Sequence, residues 1–509
     1  MSGRHGELLR GLESTSSSPL FAGRFGRMFR SLPPATYGSP DPSADINVTN
    51  LEALANAMVS DRDPADPKDG RDDEESGIPA LYTYFGQFVD HDLTFDPAST
   101  LQEQNDPSAL VNFRTPAFDL DNVYGRGPDD QPYMYQGDSM TFLLGAAISG
   151  GNVGAHDLAR NTATPARALI GDPRNDENSI VSQFQGLFHR FHNRMVAEND
   201  GLSFGEIQQL VRFHYQYVIL NDFLPRIVNG SVLGALKTNG RFDSGKLKFF
   251  HWKHAPFMPV EFSVAAYRLG HSMIRPGYRL NDATLLSIFP DPPDSPNGGL
   301  GGFKALDPSH GIDWGRFIDI ELRNYGDDPA KVDPANAAMK NRLQFAYRID
   351  TALVDPLKHL PPAVAVDPSS LALRNLLRGL RLGLPSGQAV AKAMGVIPLS
   401  DKQIGIGQAT VGADLKSITT VNPVFTNNCP LWTYVLAEAA VNQVSIKIPV
   451  IEDVEIMTPQ LGPVGGRIVA ETFLGLMFGD ANSMLTIDPA WTPPTGPDYK
   501  LKDIVSFAL

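Results

Sequence analysis

A single cysteine, Cys429, stands in a chain of 509 residues. No internal disulfide can form and no cysteine-based structural zinc site is available, so this fold must be held together by packing. Apolar material is sufficient for that. Hydrophobic residues make up 42% of the chain, with 28 Phe among them, which excludes disorder of the whole molecule and allows a sizeable core. No uninterrupted apolar run approaches 18 residues: the best stretches, 433–441 and 468–477, are short or contain charge, and no membrane span is expected. A formal charge of −14 opposes the counterion release that drives nucleic-acid binding and disfavours an anionic membrane surface. From Met1 through Glu13 to Phe29 the sequence lacks the continuous apolar centre of a secretory signal. A cytoplasmic address, or export without a cleaved signal, is the expectation.

Residues 1–75 are rich in Ser, Pro, Gly and Asp and read as an extended N-terminal arm with one short helix near 51–59. The body, 76–509, repeats helical patterns near 79–93, 179–199, 204–225, 259–274, 339–353 and 466–478. Alternating, strand-like runs are few. Long Gly- and Pro-bearing connections, such as 291–307 and 361–369, separate the helices. With no internal repeat and no clean linker, one large, mainly α domain with few short strands and long loops is expected.

Four segments carry polar groups in patterns that suit chemistry. In the first, 76–93, Ser76 reads as a cap and Pro79 as a first-turn residue. Helical spacing puts Gln87, Asp90 and His91 on roughly one face and turns Asp92 away by about 100°. The bland alternative is a solvated Asp-His-Asp helix end. In the second, 114–125, oxygen donors recur at Thr115, Asp119 and Asp121, with a backbone carbonyl at Ala117 between them; alternating hard oxygens suit Ca²⁺, and Asp92 could complete the shell. A capped turn would look the same. The third, 171–178, sets Arg174 and Glu177 just before an apolar helix. The fourth, 259–274, is a nearly apolar helix with one imidazole, His271, and Arg268 a turn earlier. Such a histidine is more often a satisfied core residue than a ligand, yet its isolation among Ala, Gly and Leu fits an axial ligand beneath a flat cofactor.

Taken in order, these segments resemble the animal-type haem peroxidases of the peroxidase–cyclooxygenase superfamily, in its bacterial branch. Phe85-Gly-Gln-Phe-Val-Asp-His-Asp-Leu93 is similar to the distal helix, Gly171-Asp-Pro-Arg-Asn-Asp-Glu177 to the catalytic-arginine motif and Tyr267-Arg-Leu-Gly-His-Ser-Met273 to the proximal helix. The segments 373–386 and 461–467 resemble two later motifs, and the resemblance runs over about residues 40–490. It implies a mainly α haem-peroxidase domain with haem b between distal and proximal helices. By the same resemblance His91 is the distal acid/base, Gln87 its hydrogen-bonding neighbour and Arg174 the distal cation; His271 is the iron ligand, with Asn375 accepting from its ring N–H. Arg268 and Arg378 would pair with the haem propionates, Asp90 and Glu177 match carboxylates that form haem esters, and Asp92, Thr115, Ala117, Asp119 and Asp121 would hold calcium. Asn178 stands where one relative carries a haem-linked Met, so that linkage is impossible here. The implied reaction is reduction of hydrogen peroxide through an oxyferryl intermediate, with oxidation of a halide, a pseudohalide or a small aromatic donor.

Other readings remain. A cyclooxygenase or fatty-acid-dioxygenase-like oxygenase would need a radical-forming Tyr three residues before the proximal His; Arg268 is there, with Tyr267 one residue away, and in 249–254 Phe replaces the Tyr of a cyclooxygenase-like Tyr-His-Trp-His. His189 and His192, one turn apart, with His214 on the next helix, suggest a non-haem metal hydrolase, although the carboxylate of a recognised zinc motif is missing. A non-catalytic scaffold would need none of His91, Arg174 and His271.

Overall fold

The computed structural model describes residues 25–60, 72–94, 116–290, 298–326, 341–362, 364–365, 367–408 and 415–509. Helices dominate, and the strands form small two-stranded pairs scattered around one large hydrophobic core and a smaller second cluster that includes Leu343, Phe345 and Ile448. The helices of eight or more residues among the described residues are α1 (Asp45–Ala57), α2 (Leu81–Leu93), α3 (Ser179–Glu198), α4 (Phe204–Val218), α5 (Leu371–Arg381), α6 (Leu431–Val441), α7 (Gly465–Gly479) and α8 (Leu501–Ala508). None is long and apolar enough to cross a membrane.

Helix α3 is the spine. Asn178 starts it, its side-chain oxygen accepting from Ile180 N at 3.1 Å and Val181 N at 2.9 Å. Phe184 and Phe188, four apart, then face α2, where Phe88 stacks on Phe188 (4.8 Å, 22°) and meets Phe184 edge-on (5.2 Å, 80°). Tyr215 of α4 closes the cluster against Phe85 and Phe188. This seam sets the rotation of α2 about its own axis and thereby the direction of its polar face.

Several expected helices take other forms. The segment expected to open α2 at a Ser76 cap is instead a strand, Glu75–Pro79, paired antiparallel with Phe345–Tyr347; the helix starts at Leu81, and the Ser76 hydroxyl donates to Ala346 O at 2.9 Å. That partner strand lies inside the helix expected over 339–353. Leu343, Phe345, Ala346 and Tyr347 are all buried, and a short run buried on both faces has the same apolar signature in a strand as in a helix. The helix expected over 204–225 passes from α4 into a π turn, Ile219–Phe223, before the short helix Leu224–Ile227. Pro225 has no N–H with which to continue a regular ladder. Over 259–274 the expected single helix divides into Val260–Ser263 and a 3-10 helix, Ala266–His271, because Arg268 Nε takes the Ser263 carbonyl at 2.8 Å. The short helix expected near 51–59 begins earlier, at Asp45.

Residues 25–60 pack into the body. Phe25–Gly26 pairs parallel with Met258–Pro259, α1 lies on α5 through buried Leu51 and Leu54, and the Glu261 carboxylate accepts from Met28 N and Phe29 N, each at 3.1 Å.

Beneath the strand pair, the buried Glu75 carboxylate serves two buried guanidinium groups: Arg275 Nη1 at 2.5 Å and Arg342 Nη2 at 2.7 Å to both oxygens. Removing the shared anion takes the buried carboxylate away from both guanidinium groups at once. Glu75→Ala is therefore expected to lower unfolding free energy by about 3–5 kcal/mol, measured by urea denaturation followed by far-UV circular dichroism.

Candidate functional site

Two walls face one another. The first is the polar face of α2 together with the 3-10 turn Pro173–Asp176 that leads into α3. Asp172 caps this turn, accepting from Arg174 N at 2.8 Å, and the same carboxylate grips the guanidinium, with Nη2 at 2.7 Å. Arg174 Nη2 also donates to the carbonyls of His91 (2.9 Å) and Thr94 (2.5 Å), which pins the cation to the C-terminal end of α2, where exposed carbonyls favour positive charge.

His91 is buried, and its Nδ1 lies 2.7 Å from Asn175 Oδ1 while Nε2 stands 3.6 Å from Glu177 Oε1. Burial, reinforced by the Arg174 charge, pushes its pKa below the usual histidine value, so the ring is neutral near pH 7. Gln87 is close by but does not bond the imidazole. Its amide donates to Glu177 Oε1 and accepts from Asn178 Nδ2 at 3.4 Å. Asn178 thus serves both the cap of α3 and the Gln87 side chain.

The second wall is the segment Ala266–His271 backed by α6 and α7. Three residues per turn bring Arg268 and His271 to the same side. Asn375 of α5 sets its amide nitrogen 2.8 Å from His271 Nδ1, and Trp432 of α6 donates to Arg268 O at 3.3 Å. Loss of hydration around the ring, helped by Arg268, pushes His271 down to about 3, which keeps it in the neutral form that binds metal ions. Arg378 lies on the same helix as Asn375, three residues on.

The walls touch at Tyr267, whose hydroxyl donates to Gly86 O on α2 at 3.2 Å. A Cβ on Gly86 would stand 3.3 Å from the Phe223 ring, so glycine permits the close packing of the π turn Ile219–Phe223 on α2. The negative charge of Asp90 opposes, at both His91 and His271, the burial that lowers their pKa values, so this carboxylate is felt by both imidazoles. Its Oδ1 accepts from Thr94 Oγ1 at 3.2 Å.

On the far side of α2, carboxylate oxygens of Asp92, Asp119 and Asp121 come within 4.8 Å of one another. Leu120, at φ 57°, folds the loop between the last two so that both turn towards Asp92. Asp92 is fully buried; Tyr215 donates to its Oδ2 at 3.1 Å, whereas Oδ1 has no hydrogen-bond partner among the described residues. Burial, then the charges of Asp119 and Asp121, raise its pKa far above the carboxylate range. Ala117 lies buried on the same loop, and Thr115 falls outside the described residues.

The alternative histidine set does not converge on a site. His189 stacks on Phe142 (4.2 Å, 6°) with Nε2 at Gln185 (2.9 Å), His192 uses both nitrogens on Tyr124 OH (2.9 Å) and Met140 O (2.8 Å), and His214 bonds Leu210 O (2.8 Å). None belongs to a metal-competent cluster among the described residues. The polar groups at the first wall that motif reading passed over are Asp172, Asn175 and Gln185, all fully buried. That combination was the available signal.

Residues 100–293, which include Arg174, Glu177, Arg268 and His271, match the family model described as animal haem peroxidase. In that segment the chain is similar to the animal haem peroxidase family. Thyroid peroxidase of Sus scrofa is 27% identical over 200 residues, covering 35% of this chain and 21% of that protein. Thyroid peroxidase of Homo sapiens is 27% identical over 225 residues, covering 43% of this chain and 21% of its own length. The chain therefore spans about a fifth of the curated relatives it matches. Among solved structures, peroxidase A from Dictyostelium discoideum superposes with a TM-score of 0.53 at 14% identity, covering 92% of this chain and 89% of that one, a likeness of fold.

The buried imidazoles of α3 make stability depend on pH. Burial holds His192 at about 4 in the folded chain, below the ordinary value of 6.5. Its contribution is complete above pH 6.5 and is lost as pH falls towards 4, because the unfolded chain takes up the proton first. His192→Gln should flatten the fall of unfolding free energy between pH 6.5 and 4 by roughly 2–3 kcal/mol, read from urea midpoints across that range.

Proposed function

We propose that this chain is a haem peroxidase that reduces hydrogen peroxide and oxidises a halide, a pseudohalide or a small aromatic donor. One observation carries the reading: two neutral imidazoles on facing walls, His91 and His271, each have Nδ1 at an asparagine amide (2.7 and 2.8 Å) and both feel the charge of Asp90. The match of residues 100–293 to the animal haem peroxidase model suggests the cofactor class.

The residues present fit a haem. His271 Nε2 would hold the iron, with Nδ1–H donating to the Asn375 amide oxygen after a half-turn of that side chain, a second contact that orients the ring and makes it more basic. Arg268 and Arg378 would meet the propionates, as guanidinium forks suit carboxylates. Ser263 Oγ, on the short helix before the 3-10 segment, and Arg381 Nη1, on the helix of Arg378, are buried atoms without hydrogen-bond partners among the described residues and offer further donors. Asp90 and Glu177 are the carboxylates for ester links to the cofactor. When bound, haem supplies the redox chemistry, taking two electrons from the donor side and delivering them to peroxide.

The protein's part is proton handling and charge. His91 Nε2 accepts the proton of the nearer peroxide oxygen and returns it to the departing one, so that water leaves. Arg174, fixed by Asp172 and two backbone carbonyls, stabilises the negative charge on the departing oxygen without moving. Gln87 holds Glu177 in place beside His91. In this reading residues 76–509 form one peroxidase-like domain, with residues 25–60 of the N-terminal arm packed against it.

The Asp92, Asp119 and Asp121 cluster, completed by Thr115 and the Ala117 carbonyl, is the candidate calcium site. Three carboxylates within 4.8 Å, one of them fully buried, repel unless a cation joins them. Saturating Ca²⁺ is expected to stabilise the chain by about 3 kcal/mol against chelator-treated protein in urea denaturation, and Asp92→Ala should abolish the difference.

The enzymatic reading is tested by supplying haemin to the purified chain and recording the Soret band before and after peroxide, then with halide or phenol. A band that shifts with peroxide and returns with donor is expected. His91→Ala should keep the band and lose about 10²–10⁴-fold in peroxide rate, whereas His271→Ala should retain haem poorly. Wild-type rates in the His91 variant would overturn the assignment.

A further inference from the structure

Behind His91 a line of buried side chains runs away from the site and into α3. Asn175 Nδ2 donates to Gln185 Oε1 at 2.8 Å, and Gln185 Nε2 lies 2.9 Å from His189 Nε2. Asn175 and Gln185 are fully buried, and His91 and His189 nearly so. Each link has a direction. An amide oxygen only accepts and an amide nitrogen only donates, so Asn175 Oδ1 beside His91 Nδ1 requires the proton on Nδ1 and leaves the Nε2 lone pair open. At the other end, the Gln185 nitrogen requires a lone pair on His189 Nε2. Burial, with help from His192, holds His189 down to about 3, so that ring is neutral, and its face-to-face stacking on Phe142 fixes its plane.

The whole line has one alternative. If His189 carried its proton on Nε2, it would donate to Gln185, Gln185 to Asn175, and the Asn175 nitrogen would face His91 Nδ1. The His91 proton would then sit on Nε2, with no lone pair there to receive one. Half-turned amides in the middle would leave two donors or two acceptors facing each other in the core, at a cost of about 1–3 kcal/mol per unsatisfied group. The four residues therefore change direction together or not at all.

We propose that Asn175, Gln185 and His189 form a positioning relay that fixes the Nδ1–H tautomer of His91, keeping its Nε2 ready to accept a proton from peroxide. The relay acts through His91 and touches no substrate. Its purpose rests on the peroxidase reading, whereas the tautomer itself does not.

The experiment uses the full chain labelled with ¹⁵N-histidine and free of haem, with His91 assigned by its loss in His91→Gln. Long-range ¹H–¹⁵N correlation reports which nitrogen carries the proton. A protonated Nδ1 and a bare Nε2 are expected in the wild type, a result that needs no variant to fold; a proton on Nε2 overturns the proposal. Asn175→Asp retains an acceptor and should preserve the tautomer, while Asn175→Leu and Gln185→Met should mix the two forms. After haemin is supplied, the last two should slow the reaction with peroxide by at least about tenfold with the Soret band intact, and Asn175→Asp should stay within about threefold of wild type. Gln185→Met with unchanged tautomer and unchanged rate also overturns it. If the wild type fails to react with peroxide, the peroxidase reading falls while the tautomer data still decide the relay.

Discussion

The aromatic seam between α2 and α3 is the contact from which the rest of the site takes its geometry. Phe85 and Phe88 can lock against Phe184, Phe188 and Tyr215 in only one rotation of α2, and that rotation sends Gln87, Asp90 and His91 to one side and Asp92 to the other. One thirteen-residue helix thereby presents polar clusters of opposite character on two sides. On one side, burial and a guanidinium hold an imidazole neutral. On the other, burial and two like charges raise a carboxylate until it needs a cation or a proton. Packing that carries no chemistry determines where the chemistry points.

Much of this was legible in the sequence because it depends on spacing within one element. The divergence of His91 and Asp92 follows from helical geometry, and the Asp119–Asp121 turn could be read as a pair of oxygen donors before Leu120 was known to be left-handed. The contact between Asn375 and His271 joins residues 104 positions apart and was reached through a family resemblance rather than through spacing. Asn175 and Gln185 escaped notice because an Asn in a turn and a Gln in a helix have ordinary local explanations; only burial reveals that they must be paired. The proximal segment was misread for a related reason. Its apolar run suits a helix, but whether Arg268 or a backbone N–H takes the Ser263 carbonyl is a tertiary choice that periodicity does not encode.

Charge follows the same logic. The chain is strongly acidic overall, yet its interior is rich in arginines matched to particular carboxylates: Arg275 and Arg342 to Glu75, and Arg160 to Asp157 and Asp176. Asp176 neighbours both Asn175 and Glu177, so the Arg160 pairing holds the turn that carries the first wall. In a chain with one buried thiol, such pairs, with the aromatic seam, occupy the place that cross-links hold in other proteins.

The anchoring of residues 25–60 has a bearing on how the molecule is made. Met28 and Phe29 find their acceptor in Glu261, more than two hundred residues later, and α1 finds its bed in α5, later still. At translation rates of about 5–20 residues per second, this segment spends roughly tens of seconds on the ribosome before its partners exist. Throughout that interval Leu51, Leu54 and Met58, all fully buried at the end, have no native surface to cover them. The earliest-made helix of the described chain thus waits until residue 381 has been made before its bed is complete.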